Sequence, residues 1–324
     1  MKELFTINLQ IFANTNTNVT TDSGLSAENK TFYDMTLIDE ATPNLIHGQF
    51  GQKRNIPKGK GKTIEFRKYA SLGKALTPLT EGVTPDGQKL SVTTIEAEVK
   101  QYGGYVEVSD VLDLTAIDDN ITEATMLLGN QAGLTFDTIH RNAMHETHNE
   151  FFAPSAAGGA AITSLEGMKE DCYLTLDTVK RVVAWLKKNN APKIDGSYIA
   201  IVHPFVSYDI MSDPLWVDVS KYAQPENIFN GEIGKIAGVR FVETSEAKVY
   251  ADNVFGTLIF GANAYGTTEI EGGGIQTIIQ PATDPLKQRN TVGWKGMTTA
   301  EILVDQYIVK VYSKSKMNED IEEN

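Results

Sequence analysis

Two short stretches of this chain alternate apolar and polar residues, and the segment between them does not. Ile64 and Phe66 alternate with Glu65 and Arg67, while Ile95, Ala97 and Val99 alternate with Thr94, Glu96, Glu98 and Lys100. That period of two belongs to half-buried strands, and the pair predicts a long hairpin. Residues 70–92 hold Pro78, Gly82, Pro85 and Gly87 and no sustained period. A connection longer than about 12–15 residues is uncommon in a compact domain unless it is functional or disordered. The loop therefore calls for a partner.

The segments before the hairpin add to this. A short apolar patch (Leu4, Phe5, Ile7, Leu9, Ile11, Phe12) passes into an Asn/Thr/Ser tract over 14–26, which is too polar to order itself by burial. It reads either as a frayed terminus or as an arm whose apolar tip docks on another subunit. Lys53, Arg54, Lys58, Lys60, Lys62, Arg67 and Lys68 then face only Glu65, a net +6 in a chain of net charge −13, so the remainder carries −19. Charge segregated in this way suits attraction between one copy's arm and another copy's body. The competing reading is a solvated, flexible basic loop. An overall acidic balance argues against a protein whose main work is gripping nucleic-acid phosphates.

Length and composition set the remaining bounds. With 324 residues and 41% apolar content the chain can bury one large core or two ordinary ones. No apolar run approaches the roughly 18–20 residues of a membrane span, so a soluble protein is expected. Cys172 is the sole cysteine, which rules out an intramolecular disulfide and fits an intracellular origin. The opening MKELFTINLQIFA is interrupted by Glu3, Asn8 and Gln10 and does not read as a signal peptide.

Further along, Val106 and Val108 continue a strand after Gly103-Gly104, and Ser109-Asp110 opens a short apolar segment. A long helix is predicted over about 119–148, capped by Asp118 or Asp119, with Ile121, Ala124, Leu128, Ala132, Phe136, Ile139 and Ala143 at spacings of three and four. A second amphipathic helix over about 176–189 places Val179, Val182, Val183 and Leu186 on one face and Lys187-Lys188 near its C-terminus. Strands follow at 198–202, 239–242 and 257–260, a turn at Gly272-Gly273-Gly274, and an alternating stretch over 304–312. Residues 314–324 end in Glu319, Asp320, Glu322 and Glu323 and are expected to fray.

Motifs for chemistry are weak. Lys58–Thr63 ends in Gly-Lys-Thr, but Ile56 stands where a phosphate loop needs its first glycine, and no apolar strand precedes it. His140, His145 and His148 lie close in sequence, yet His145-Glu146-Thr147-His148 lacks the H-E-x-x-H spacing of a zinc protease. A polar helix end accounts for them better than a metal does. The acid pairs Asp118-Asp119 and Glu269/Glu271 read as a cap and a strand edge. No nucleophile elbow, dinucleotide fingerprint or CxxC pair occurs, and Gly231, Gly234 and Gly238 have the wrong spacing for dinucleotide binding. An enzyme is disfavoured, and no cofactor is expected.

The order of elements, together with several stretches, resembles the tailed-bacteriophage major capsid protein family, the Johnson fold. The stretches are MKELFTINLQIFA, KTIEFRKYASLGKALTPLTEGVTPDGQ from Lys62 to Gln88, QYGGYVEVSDVLDLTAID from Gln101 to Asp118, AIVHP from Ala200 to Pro204, and GEIGKIAGVRFVETSEA from Gly231 to Ala247. The LTEGVTPDG segment, combined with the GxIGxIxG segment, is more specific than any motif above.

The resemblance implies an α+β fold: an N-arm (1–60), an extended E-loop hairpin (61–108), a peripheral domain with a long spine helix (109–175 and 290–315), an axial α/β domain (176–289) and an acidic C-terminal tail (316–324). It implies a structural subunit that assembles into hexamers and pentamers of an icosahedral shell around double-stranded DNA, located in the virion and assembled in the host bacterial cytoplasm. The partners it implies are other copies of the chain, a portal, and DNA held without sequence-specific binding. The peripheral pattern starts too early for a long cleaved scaffolding segment, so a separate scaffold protein or none is expected.

Inter-subunit contacts are placed by this resemblance at Phe5, Phe12, Lys58, Lys60, Lys62, Arg67, Lys74, Glu81 and Asp86. Some family members join an E-loop lysine to an asparagine of a neighbour. Lys74 and Lys89 occupy that loop, where solvation opposes the neutral lysine such a reaction needs. Two other readings compete: an encapsulin-like compartment with the same fold, and a metal-dependent hydrolase built on His140, His145 and His148.

Overall fold

The computed structural model describes residues 17–18, 46–69, 72–79, 81–84, 86–115, 120–158, 161–214, 216, 234–280, 285–286, 288–317 and 321–324. In chain order the elements are β1 (Thr17–Asn18), β2 (Gln52–Lys53), β3 (Thr63–Tyr69), β4 (Val92–Glu98), β5 (Lys100–Ser109), α1 (Asp110–Thr115), α2 (Asn120–Met144), β6 (Glu150–Phe152) and α3 (Leu176–Lys188). They continue with β7 (Tyr198–Val202), α4 (Pro204–Met211), β8 (Lys235–Ile236), β9 (Val239–Glu243), β10 (Val249–Tyr250), β11 (Val254–Phe260), β12 (Tyr265–Thr268), β13 (Gln276–Gln280), β14 (Arg289–Ile302) and β15 (Ile308–Ser313). The caps read for the long helix, Asp118 and Asp119, fall outside the described residues. The chain divides into two compact units, one of 1–42, 101–133 and 273–297, the other of 43–100, 134–272 and 298–324.

In the first unit, β14 lies between β5 and β13, and β1 pairs in parallel with β5 through Thr17↔Glu107 and Asn18↔Val108. α1 starts where Ser109 Oγ accepts from Leu112 N at 3.2 Å and Asp110 Oδ1 from Val111 N at 2.8 Å, so the Ser-Asp pair seen in the sequence satisfies orphan donors of the first turn. Val108, Leu112, Leu128, Ala132, Val292 and Trp294 are buried, and Trp294 Nε1 donates to Gln131 Oε1 at 3.0 Å.

The second unit is built on a mixed sheet of order β6-β15-β11-β7-β9-β8, with β10 paired to β11. All residues of β7, β11 and β15 are buried, which explains the continuous apolar run of β7: a strand covered on both faces has no polar side to show. α3 covers this sheet with Val179, Val182, Val183 and Leu186, the stripe that its spacing predicts. Thr175 caps it by accepting from Thr178 N, and Asn190 ends it at a φ of 54°.

Two expectations are corrected. Residues 304–312 do not alternate between core and solvent: a short 3-10 turn at Asp305–Tyr307 precedes β15, whose two faces are both covered. Nor do the described residues of the C-terminal segment hang free. Lys314 and Ser315 are buried, Asn324 N donates to Val249 O, and Val249 N donates to Asn324 Oδ1 at 2.9 Å. Side-chain bonding to strand β10 and Ile321 packed against the core outweigh the charge of this tail.

β3 and β4 pair antiparallel from Thr63↔Glu98 to Tyr69↔Val92 and form a sheet of their own. Phe66 and Ala97 are buried against Leu303, with Ile64, Ile95 and Val304 beside them. A Cβ on Gly266 would stand 3.0 Å from the Phe66 ring, so glycine is needed there to admit it. Removing this ring leaves a cavity at the only apolar footing that the hairpin has among the described residues, a change that typically costs about 3–5 kcal/mol. Phe66→Ala is expected to lower the unfolding midpoint and to speed amide exchange in Thr63–Tyr69 and Val92–Glu98 most. Uniform loss across both units, with no excess in these strands, would contradict the anchoring role.

Candidate functional site

Beyond Phe66 the hairpin leaves its footing. Tyr69, Leu72, Leu76, Leu79, Val83 and Leu90 are all exposed, Leu76 to 81% and Leu79 to 77%. Scattered surface apolar residues need no explanation, but a contiguous set on one projecting segment marks an interaction surface. Gln88 Nε2 donates to Gly73 O at 3.1 Å, a bond joining the two limbs of the loop. Lys74, Glu81 and Asp86 lie on the same loop, all exposed. The structure thus places three of the sequence-designated contact residues on one apolar projection.

The basic segment divides. Lys62 pairs with Glu98 across the base of the hairpin, and its ammonium holds the Glu98 carboxyl below the usual range. Arg67 pairs with Glu65 at 3.3 Å. Arg54 lies over the Phe66 ring, 5.7 Å from its centroid. Lys62 and Arg67 therefore each have an acidic partner within the chain. Lys58 and Lys60 stay exposed on the turn after Ile56, where Gly59 and Gly61 take φ of 83° and 93°. Those glycines serve the turn rather than a phosphate.

Residues 46–56, which the resemblance assigns to the N-arm, are embedded. Ile46 and Ile56 are buried, and β2 pairs in parallel with β12 through Gln52↔Gly266 and Lys53↔Thr267. The fastening is a buried polar cluster on α2. Asp137 Oδ1 accepts from His47 N at 2.8 Å, and Oδ2 lies 2.7 Å from His47 Nδ1. Tyr265 Oη donates to His47 O at 2.5 Å. Gly48 lies against the His140 ring, where a Cβ would stand 2.8 Å from Nδ1. Sequence reading missed this cluster because His47 and Asp137 are 90 positions apart; the only signal was a charged residue on the apolar side of the predicted helix.

The three clustered histidines do not converge. His140 Nε2 bonds to Thr298 Oγ1 at 2.9 Å, His145 Nδ1 to Tyr250 Oη at 3.1 Å, and His148 is 92% exposed with Nδ1 3.8 Å from Asp305 Oδ2. Among the described residues no group of three or more His, Cys, Asp or Glu side chains is arranged to hold a metal ion. This geometry overturns the metal-dependent hydrolase reading. Burial lowers the His140 pKa to about 4 against the opposing pull of Asp137, lowers His203 to about 4, and pushes His145 well down. These imidazoles are neutral core groups. A cleft of about 520 Å³ at the hairpin base, lined by Lys68, Glu146, His148, Glu301 and Asp305 among others, mixes charges but pairs no nucleophile with a base. Phe5 and Phe12 lie outside the described residues, and no helix among the described residues is long and apolar enough to cross a membrane.

The histidines generate a pH prediction. Unfolded, His140 and His203 gain protons near pH 6.5; folded, only near pH 4. The unfolded chain binds more protons between these values, so stability falls as the pH drops from about 6.5 to about 4, and these groups add no further loss below that. Denaturant midpoints at pH 7, 5.5 and 4 are expected to decline in that order, with a shallower decline in His140→Gln. Equal slopes in the two proteins would refute the assignment.

Among curated protein sequences none matches. Among solved structures the chain is similar to the capsid of the cyanophage P-SCSP1u, at 12% identity and a TM-score of 0.68, covering 94% of this chain and 99% of that one. It is similar to the capsid of Ralstonia phage GP4, at 14% identity and a TM-score of 0.64 over 84% and 89% of the two chains. The acid-stable capsid of Helicobacter pylori bacteriophage KHP30 gives 11% identity and a TM-score of 0.60 over 81% and 88%. These likenesses establish the α+β phage major capsid fold. Because a family model for phage capsid proteins matches residues 92–311, more than half of the sequence, the chain belongs to the phage capsid protein family.

Proposed function

We propose that the chain is the major structural subunit of an icosahedral phage shell, a building block rather than an enzyme, and that its hairpin lies across a neighbouring copy. The observation that carries this reading is the family match combined with the bare apolar loop: a capsid-family chain presents Leu72, Leu76, Leu79, Val83 and Leu90 to solvent, and neighbours in a shell would cover them. Residues 1–60 serve as the N-arm up to the embedded 46–56 segment, and 61–108 as the E-loop hairpin. The peripheral domain is 109–175 with 290–315, the axial domain 176–289 and the C-terminal tail 316–324. The three relatives named above are phage capsids, which favours this reading over a cargo-packaging compartment.

Assembly takes place in the host bacterial cytoplasm, around a separate scaffold protein if any, with a portal at one vertex. Packaged double-stranded DNA is confined without sequence-specific contacts, since a body carrying −19 outside the basic segment repels phosphates. Microscopy of the expressed chain, alone and with its scaffold, is expected to show capsomers, shells or tubes. A strictly monomeric species under all these conditions would contradict the proposal.

The exposed lysines of the turn yield a second test. Lys58 and Lys60 act on neighbours through exposed charge, which salt screens over a Debye length of about 10 Å at 0.1 M. Lys58→Gln with Lys60→Gln is expected to slow assembly several-fold at low ionic strength and little at high. Equal loss at both salts would point to a folding defect instead.

A further inference from the structure

Cations gather at one end of the sheet of the second unit. α3 ends in Lys187 and Lys188, and the turn that follows carries Lys193 and returns into β7. The β8–β9 hairpin closes beside that turn: Tyr198 N donates to Gly238 O at 2.9 Å, and Lys235 Nζ donates to Gly196 O at 3.4 Å. Lys193 Nζ lies 5.8 Å from the centroid of the Tyr198 ring, and Arg240 stands in register with Ile199 of β7. The topology thus brings Lys187, Lys188, Lys193, Lys235 and Arg240, all exposed, to the start of β7.

Their charge is not balanced locally. Residues 187–199 and 234–242 hold these cations and a single acid, Asp195, and none of the cations has an acidic partner among the described residues. Lys187 and Lys188 have a local reason, since cations complement the carbonyl end of a helix. Lys235 has another: β8 ends the strand order, and a lysine on an edge strand discourages stray pairing. Neither reason reaches Arg240, which sits directly opposite Lys235 in the β8–β9 pair. Like charges so placed repel, and an anion from outside the chain would relieve them.

The surroundings select the kind of anion. No large apolar side chain of these segments is exposed: Ile194, Ile236 and Val242 are half-buried, and Ile199, Val239 and Phe241 are buried. A protein partner draws most of its affinity from apolar and aromatic anchors, which this surface does not offer. Phosphates need only positive charge. The cations come from a helix end, a turn and a strand pair, a spread that suits a row of phosphates rather than one small ion.

We infer that this end of the sheet is a contact surface for the phosphate backbone of double-stranded DNA. This rests on the shell reading above and adds to it the place where an acidic body admits phosphates. The body as a whole repels the duplex, while this end holds it locally through charge. Contacts to phosphates carry no sequence information, so the hold is blind to base order.

The test is the anisotropy of a short labelled DNA duplex, titrated with dissociated subunits over a range of salt. Each phosphate contact adds about 0.9 to the slope of log affinity against log salt. The triple variant Lys193→Gln, Lys235→Gln and Arg240→Gln is expected to bind several-fold more weakly at low salt and to lose about two from that slope. Because these charges repel, the urea midpoint of the variant is expected to equal or exceed that of the unmodified chain. Arg240→Lys, which keeps the charge, is expected to keep the slope. Lys58→Gln with Lys60→Gln is expected to change it less than the triple variant does. An unchanged slope in the triple variant, an equal loss in the Lys58 and Lys60 variant, or displacement of the duplex by polyglutamate of equal charge would overturn the DNA contact; shells still seen by microscopy would leave the shell reading standing. Absence of particles from the unmodified chain would overturn both.

Discussion

One packing contact governs how this chain presents itself: the Phe66 ring set between Leu303 and the bare backbone of Gly266, with Arg54 above it. On the near side of that ring the hairpin belongs to its own molecule. On the far side three residue pairs remain, from Arg67↔Thr94 to Tyr69↔Val92, and among the described residues they lead to a loop of exposed leucines. A two-stranded ribbon is marginal in water by itself. The anchor therefore turns a marginal ribbon into a positioned projection, and the cost of exposing its apolar residues is offset only when another surface covers them.

The segment leading to the hairpin is held by different physics. His47 offers its backbone N–H and imidazole to Asp137, Tyr265 closes on its carbonyl, and Gly48 lets the chain touch His140. A carboxylate so deep is tolerated because both its oxygens are engaged, and removing one partner would strand the others. These contacts fix where the basic turn of Lys58 and Lys60 emerges. Apolar anchoring positions the hairpin and buried hydrogen bonds position the chain before it, a division that lets each be perturbed separately.

Local pattern made much of this legible. The i, i+3, i+4 stripe of Val179, Val182, Val183 and Leu186 and the alternation through Ile64, Phe66, Ile95 and Ala97 correspond to observed burial, because each reports one face of one element. Long-range pairing was not legible. Nothing near Asp137 announces His47, nothing in Gly103 announces the Trp294 carbonyl beside it, and the acidic composition of 319–323 hid the bonds of Asn324 to Val249. In the basic segment, too, charge counting cannot show that Lys62 faces Glu98 across a strand pair. The family resemblance of the LTEGVTPDG loop pointed to partners that the isolated chain does not display.

The central claim is that the exposed loop is a surface awaiting another copy. Amide hydrogen exchange of the 72–90 peptide, compared between dissociated subunits and assembled particles, tests it most directly. Fast exchange in the subunit and strong protection in the particle, exceeding the change in core strands β7 and β11, is the result this account predicts. Equally fast exchange in both states would show that the loop stays bare in the shell and would contradict it.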